Sequence, residues 1–367
     1  MAISVKEANP QTASSVNRDS IEPVHKKNTK KGKKHVWKIE DSCVEMYNWL
    51  CLNRKLRPVL QNGVDFLLST ENRKKIKLEN HKWHNFKFGV YLLGKSIILT
   101  ADCDINDNND LGHLKLKTSY LWIENSCVIS CSGLGYPSDT GPGKGEKNSE
   151  ELRAGGGASH GSKGRSFNAA NGNGKNGQLY GEDTLLKEIH FGSGGGCAKF
   201  KSYQTYLKGG NGGGIIEIIV QRQIINKGCI ECDGKLGRYM YSNECPKQIV
   251  SGGGSGGSIL IIVQAPHDVY QKFGVINCTG GGNHPYLCQV NKGGNGRIAI
   301  YTRCDQLHRS ISASPPYYLS TLIPKEEFIM KRGVAVSSNE KRYFCVNVKK
   351  KSSFFSLSSA QFFLAVQ

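Results

Sequence analysis

The chain has no stretch of the roughly 18 to 20 apolar residues that a membrane-spanning helix needs. Its nearest approach, FFSLSSAQFFLAV at 354–366, is short and broken by serines and Gln361. The opening residues, MAISVKEANPQTASSV, lack the basic segment and apolar core of a secretory leader. An intracellular chain, cytoplasmic or nuclear, without a transmembrane segment is therefore expected. Acidic residues are scarce, 30 against 49 basic ones, and the net charge of +19 favours anionic partners without constraining the fold. Several chemistries are also missing their signatures. GPGKGEK at 141–147 and the glycines at 252–257 do not meet the Walker spacing of a nucleotide loop. Cys229–Cys232 is a CxxC with no second CxxC at zinc-ribbon spacing. The acids of the repeats do not align as a pair for acid–base hydrolysis, and neither a catalytic residue nor a cofactor is assigned.

What the chain does have is glycine, 44 residues of 367, well above the ordinary share of about 7%. Most of it lies between residues 133 and 296, among repeated strings. SCVISCSG at 126–133, GCIECDG at 228–234 and GVINCTG at 274–280 align with one another. GGGIIEIIV at 212–220 and GGSILIIV at 256–263 precede the second and third. Self-similarity of this kind marks stacked supersecondary units. Alignment places Cys131, Cys232 and Cys278 in one column and Gly133, Gly234 and Gly280 in another, the cysteines as inward-facing thiols and the glycines at bends. The odd total of 13 cysteines forbids complete pairing, and without a leader they read as thiols.

Four regions follow. Residues 1–38 read as a disordered basic arm carrying Lys26, Lys27, Lys30, Lys31, Lys33 and Lys34 without an intervening acid. Residues 39–85 hold a short helix, from the spacing of Val44, Tyr47, Leu50 and Cys51, and a cap or linker. The glycine-rich body covers 86–303, with a long Gly-rich loop excursion at about 136–211, and 304–367 form a tail of undefined structure. The fold class expected is all-β, a right-handed parallel β-helix.

The strings GGGASHG at 155–161, FGSGGG at 191–196, GGNGGGIIEI at 209–218, GGGSGGSILI at 252–261 and GGNGRIAIY at 293–301 resemble the glycine-rich repeat region of large uncharacterised protist and plant proteins. Those are similar to the pectin-lyase-like right-handed β-helix class. The resemblance covers residues 112–303 and implies a fold rather than an activity, since that class spans lyases, hydrolases, adhesins and scaffolds.

Three candidate sites remain. Asp102, Asp104, Asp107 and Asp110 form the densest oxygen cluster and the calcium candidate, although Asp107 replaces the glycine and His113 the glutamate of an EF-hand loop, so a polar turn is the simpler reading. His160 and His190 sit beside glycine turns without a sequence-adjacent partner. Arg153, Lys163 and Arg165, with Lys175, add positive charge to the excursion. The function expected is a non-catalytic binding or scaffold module for an acidic polymer, a glycan or a protein. A carbohydrate-active enzyme and a nucleic-acid binder acting through the basic arm are the alternatives.

Overall fold

A computed structural model of the chain describes residues 61–104, 107–150, 153–165, 174–199, 206–242, 245–282, 291–304, 311–332 and 334. The chain divides into two compact units, Met1–Leu52 and Asn53–Gln367, and every described residue lies in the second. The expected basic arm, with its six lysines, and the short helix after it lie outside the described residues.

The first sheet contains β1 (Phe66–Ser69), β3 (Trp83–Phe86), β4 (Gly89–Leu92), β6 (His113–Ile123), β10 (Ile215–Asn226), β14 (Ser258–Val263), β16 (Arg297–Thr302) and β18 (Tyr318–Ser320). The second contains β2 (Lys75–Glu79), β5 (Ile98–Asp102), β7 (Val128–Ser130), β11 (Cys229–Glu231), β15 (Gly274–Asn277) and β17 (Ile311–Ser314). Every pairing within these two sheets is parallel. Two small antiparallel hairpins stand apart, β8 (Ala198–Lys199) with β9 (Tyr206–Leu207), and β12 (Tyr239–Ser242) with β13 (Cys245–Val250). One short helix, α1 (Glu326–Lys331), is described; no described helix is long and apolar enough to cross a membrane.

This corrects the expected right-handed parallel β-helix. The described residues form two stacked parallel sheets of eight and six strands in a layered arrangement, with no closed solenoid among them. The repeats encode parallel, in-register strands, and that much they do produce: Ile216 pairs with Leu114 and Ile259, and Ile230 with Ile129 and Ile276. What the repeats do not encode is closure. Of the glycines read as bends, Gly133 does lie in a turn, whereas Gly234 and Gly280 lie against the backbone of neighbouring segments.

Side-chain alternation explains the layering. Leu114, Leu116, Ile216, Ile218, Ile259, Ile261, Ile298 and Ile300 face Leu99, Ile129, Ile230 and Ile276 of the second sheet in one core. The intervening Ile215, Ile219, Leu260, Ile262, Ala299 and Tyr301 point the other way, into a second core closed by Leu185, Ile189, Phe191 and Ile329 of α1. The first sheet is thus covered on both faces, which is why β14 and the first half of β10 are almost continuously apolar. The second sheet has one covered face, and its strands alternate.

Candidate polyanion-binding face

The glycine segments build the site's frame. Along residues 252–257 the backbone N–H groups of Gly252 and Ser255 donate to Gly196 and Ser193, those of Gly253 and Gly256 to Asn291 and Gly294, and those of Gly254 and Gly257 to Lys235 and Cys232. Each neighbouring segment is met every third residue, the period of a polyproline-II-type helix. The same period recurs where Gly192 and Gly195 donate to Gly213 and Gly210, and where Gly174 and Gly177 donate to Ala154 and Gly157. The region read as a loop excursion therefore contributes packed, laterally bonded segments. Glycine is needed because the backbones touch. A β-carbon on Gly213 would lie 1.9 Å from the Cys232 carbonyl oxygen.

Three of these segments, 208–214, 251–257 and 291–296, run directly into β10, β14 and β16. Their beginnings therefore lie at the far end of the bundle, roughly 20 Å from the first sheet at about 3.1 Å per residue. That end is basic. Ser251 Oγ lies 2.8 Å from the Lys208 carbonyl oxygen and 3.0 Å from that of Arg238, so Lys208, at the start of one segment, and Arg238, at the end of the stretch that follows β11, lie side by side. Lys199 stands in the β8–β9 hairpin, and the Lys147 ammonium sits 3.8 Å from the ring centre of Tyr206 in the same hairpin. None of Lys147, Lys199, Lys208 and Arg238 is in an ion pair among the described residues. Of the nearby acids, Glu150 is paired with Arg153 Nε at 2.8 Å, while Asp139 and Glu146 accept the Cys197 and Lys175 N–H groups, each at 2.8 Å.

Of the cations singled out in the sequence, Arg153 reaches this end but is spent on Glu150. Exposed Lys163 and Arg165 flank the bundle beside Lys292, whose carbonyl oxygen accepts the Arg165 N–H at 2.7 Å. Lys199, Lys208 and Arg238 were missed because they lie far apart in sequence. Their common feature, a position at the margin of a glycine string, was present there.

The calcium candidates do not converge. Asp102 is bound to Lys77 at 2.9 Å, and Asp110 accepts Asn80 Nδ2 through one oxygen and the Asp104 N–H through the other, each at 2.7 Å. Asp107 caps Asn109 N–H at 2.9 Å. Asp102, Asp104 and Asp110 do line an open groove of about 530 Å³ with Lys75, Lys77 and Cys103. No cluster of three or more metal-ligating side chains is found among the described residues.

The groove borders the exposed face of the second sheet. There Glu231 and Asp233 share one face at strand spacing, a pair that aligning columns one at a time did not reveal. Glu231 Oε1 accepts Ser130 Oγ at 2.8 Å and Ser132 Oγ at 3.2 Å, while Asp233 Oδ1 accepts the Thr279 N–H at 2.6 Å and its hydroxyl at 2.9 Å. Burial raises the Asp233 pKa, and the Glu231 charge adds to that, against the lowering by the Thr279 bonds.

Cys131, Cys232 and Cys278 are fully buried thiols between the sheets, each following a strand of one parallel row. Cys232 hydrogen-bonds to both neighbours, and burial drives its pKa upward, which keeps it protonated and unreactive. In the adjacent glycine column, Gly133 takes φ of 71°. Gly234 and Gly280 are instead required by close approach: a β-carbon would meet carbonyl oxygens of Gly254 and Gly293 at 2.1 and 1.9 Å.

Two polar centres are buried. His160 stacks on Tyr180 with centroids 4.5 Å apart, its Nδ1 2.9 Å from the Gly256 carbonyl, and burial lowers its pKa to about 3. On the outer face of β10, Glu217 meets His113 Nε2 at 2.7 Å, Arg332 at 2.5 Å and Lys115 at 3.8 Å. Burial would raise the Glu217 pKa, but the His113 bond and the Arg332 and Lys115 charges outweigh it and hold the carboxyl below its ordinary value. Burial lowers His113 to about 4, so at neutral pH it is an uncharged donor to the carboxylate. Sealed beneath the 185–191 segment, this centre joins layers and is not open to substrate.

Comparison with family models, with curated proteins and with solved structures returns no match for this chain.

Proposed function

We propose that this protein is a non-catalytic binding module that holds an acidic polymer on the basic end of its glycine bundle. The observation that carries the reading is the group Lys147, Lys199, Lys208 and Arg238, brought together at one end and free of ion pairs among the described residues. The bundle is rigid, because each segment is tied laterally through its backbone, so these charges are held in place before binding and less ordering entropy is lost. Counter-ion release from a polyanion then supplies the driving force. Lys208→Ala with Arg238→Ala should weaken heparin binding at least tenfold at low salt, read by fluorescence anisotropy, and an unchanged affinity would sink the reading.

A second reading, a carbohydrate-active enzyme, is favoured by the Glu231 and Asp233 pair on the exposed face of the second sheet. The raised pKa of Asp233 is suited to a proton donor beside a second carboxyl group. Reducing-end release from a panel of polysaccharides, abolished by Asp233→Asn, supports it. No release from any of them counts against it.

A further inference from the structure

We infer that the acidic polymer is a single-stranded nucleic acid, recognised by aromatic rings set between the cations at the end of the glycine bundle. This rests on the acidic-polymer reading above and narrows it. Tyr206 is 39% exposed, has Lys147 over its ring and pairs directly with Lys199 across the β8–β9 hairpin. Tyr239 is 50% exposed and follows Arg238, whose carbonyl shares Ser251 Oγ with that of Lys208. The end of the bundle therefore brings ring and charge together: Tyr206 and Lys199 on the β8–β9 hairpin with the Lys147 ammonium over the ring, and Lys208, Arg238 and Tyr239 on the segments beside it.

A binder of charge alone has no use for rings at such a place. A ring as exposed as that of Tyr206 costs hydrophobic free energy that burial elsewhere would recover. Unstacked bases present flat faces that fit rings of this kind, while the phosphates between them are taken by lysine and arginine. Base stacking is tolerant of sequence because every base has a π-face, and a cation already over Tyr206 strengthens the platform electrostatically. A duplex hides its base faces, so single strands are the better match.

The full-length chain is titrated with four fluorescein-labelled probes: a 20-nucleotide oligo(dT), an abasic deoxyribose-phosphate strand of equal length, a duplex, and heparin. The inference expects oligo(dT) to bind at least tenfold more tightly than the abasic strand and more tightly than the duplex. Tyr206→Ala with Tyr239→Ala should remove the advantage of oligo(dT) over the abasic strand. Lys208→Ala with Arg238→Ala should weaken all four probes. Both rings are exposed, and an unchanged melting temperature confirms that the variants fold. If oligo(dT) and the abasic strand bind equally, or the tyrosine variant binds oligo(dT) as the parent does, the nucleic-acid inference is overturned while the acidic-polymer reading stands. If no probe binds, both fall.

Discussion

Gly156 and Gly252 approach so closely that a β-carbon on Gly252 would lie 1.8 Å from the Gly156 carbonyl oxygen. No rotamer change relieves such a contact, because the obstacle is backbone and the probe is the first atom of any side chain. Gly252→Ala is therefore expected to destabilise the chain by about 3 kcal/mol or more, among the large values for single substitutions. Gly63 offers the contrast, with positive φ of 89° but nothing within 4 Å of its added carbon. Gly63→Ala should cost only about 1 to 2 kcal/mol, the strain of a left-handed L-residue. Chemical denaturation separates the two, and equal losses would mean that the segments are not packed as described.

The buried charge centre makes a second prediction. The Arg332 side chain is 4% exposed and that of Glu217 2% exposed, and the pair ties the end of α1 to β10. Glu217→Leu leaves Lys115 and Arg332 without their counter-charge, and the expected loss is about 3 to 5 kcal/mol. Replacing Arg332 by Leu in the same chain should restore part of it, because the uncompensated charge is the main cost. A double variant no more stable than Glu217→Leu would assign the loss to packing alone.

Stability should fall on acidification below pH 6.5. His160 and His113 have ordinary values near 6.5 when unfolded, and folding depresses them to about 3 and about 4. The unfolded chain therefore binds protons first as pH falls, and the stabilisation present above pH 6.5 is lost progressively toward the folded values. The lowered carboxyl of Glu217 acts in the same direction below its ordinary 4.5. Melting curves from pH 7.5 to 4 test this, with a loss on the order of a few kcal/mol expected. His160→Asn should flatten the dependence, and a variant with the parental slope would remove His160 from the account.

Thiol accessibility checks the cysteine column. Cys103 and Cys229 are partly exposed, while Cys131, Cys232 and Cys278 are buried. Iodoacetamide at pH 8 should label the first two ahead of the other three, with mass spectrometry locating the adducts. Burial pushes Cys103 to about 11 and Cys229 to about 12, so even these react slowly. Rapid labelling of Cys232 in the folded chain would contradict its place between the sheets.

Much of the local order was legible in the sequence. The runs at 215–220 and 258–263 alternate between two cores, and the cysteine column needed only alignment, because parallel neighbours in register repeat chemistry at equivalent positions. The layered arrangement was not legible. Glycine writes the same letter for a bend and for a straight segment touching its neighbours, and only Gly133 of its column takes positive φ. Long-range partners were equally hidden. Arg332 lies 115 residues from Glu217, and Lys208, Arg238 and Lys147 meet only through the lateral bonding of segments that carry no pattern but glycine. The pairing of Glu231 with Asp233 was within reach, since residues two apart on a strand share a face.

The central claim is that the end of the glycine bundle, and not the lysines of residues 26–34, holds an acidic polymer. The direct measurement is the salt dependence of heparin affinity for three full-length chains: the parent, one with Lys26, Lys27, Lys30, Lys31, Lys33 and Lys34 changed to alanine, and one with Lys147, Lys199, Lys208 and Arg238 changed to alanine. Each cation that neutralises polymer charge contributes roughly one to the slope of log affinity against log salt. The bundle-end variant should lose about three to four from that slope and most of the affinity, while the arm variant keeps the larger part of both. A collapse of binding in the arm variant, with the bundle-end variant indistinguishable from the parent, would contradict the account.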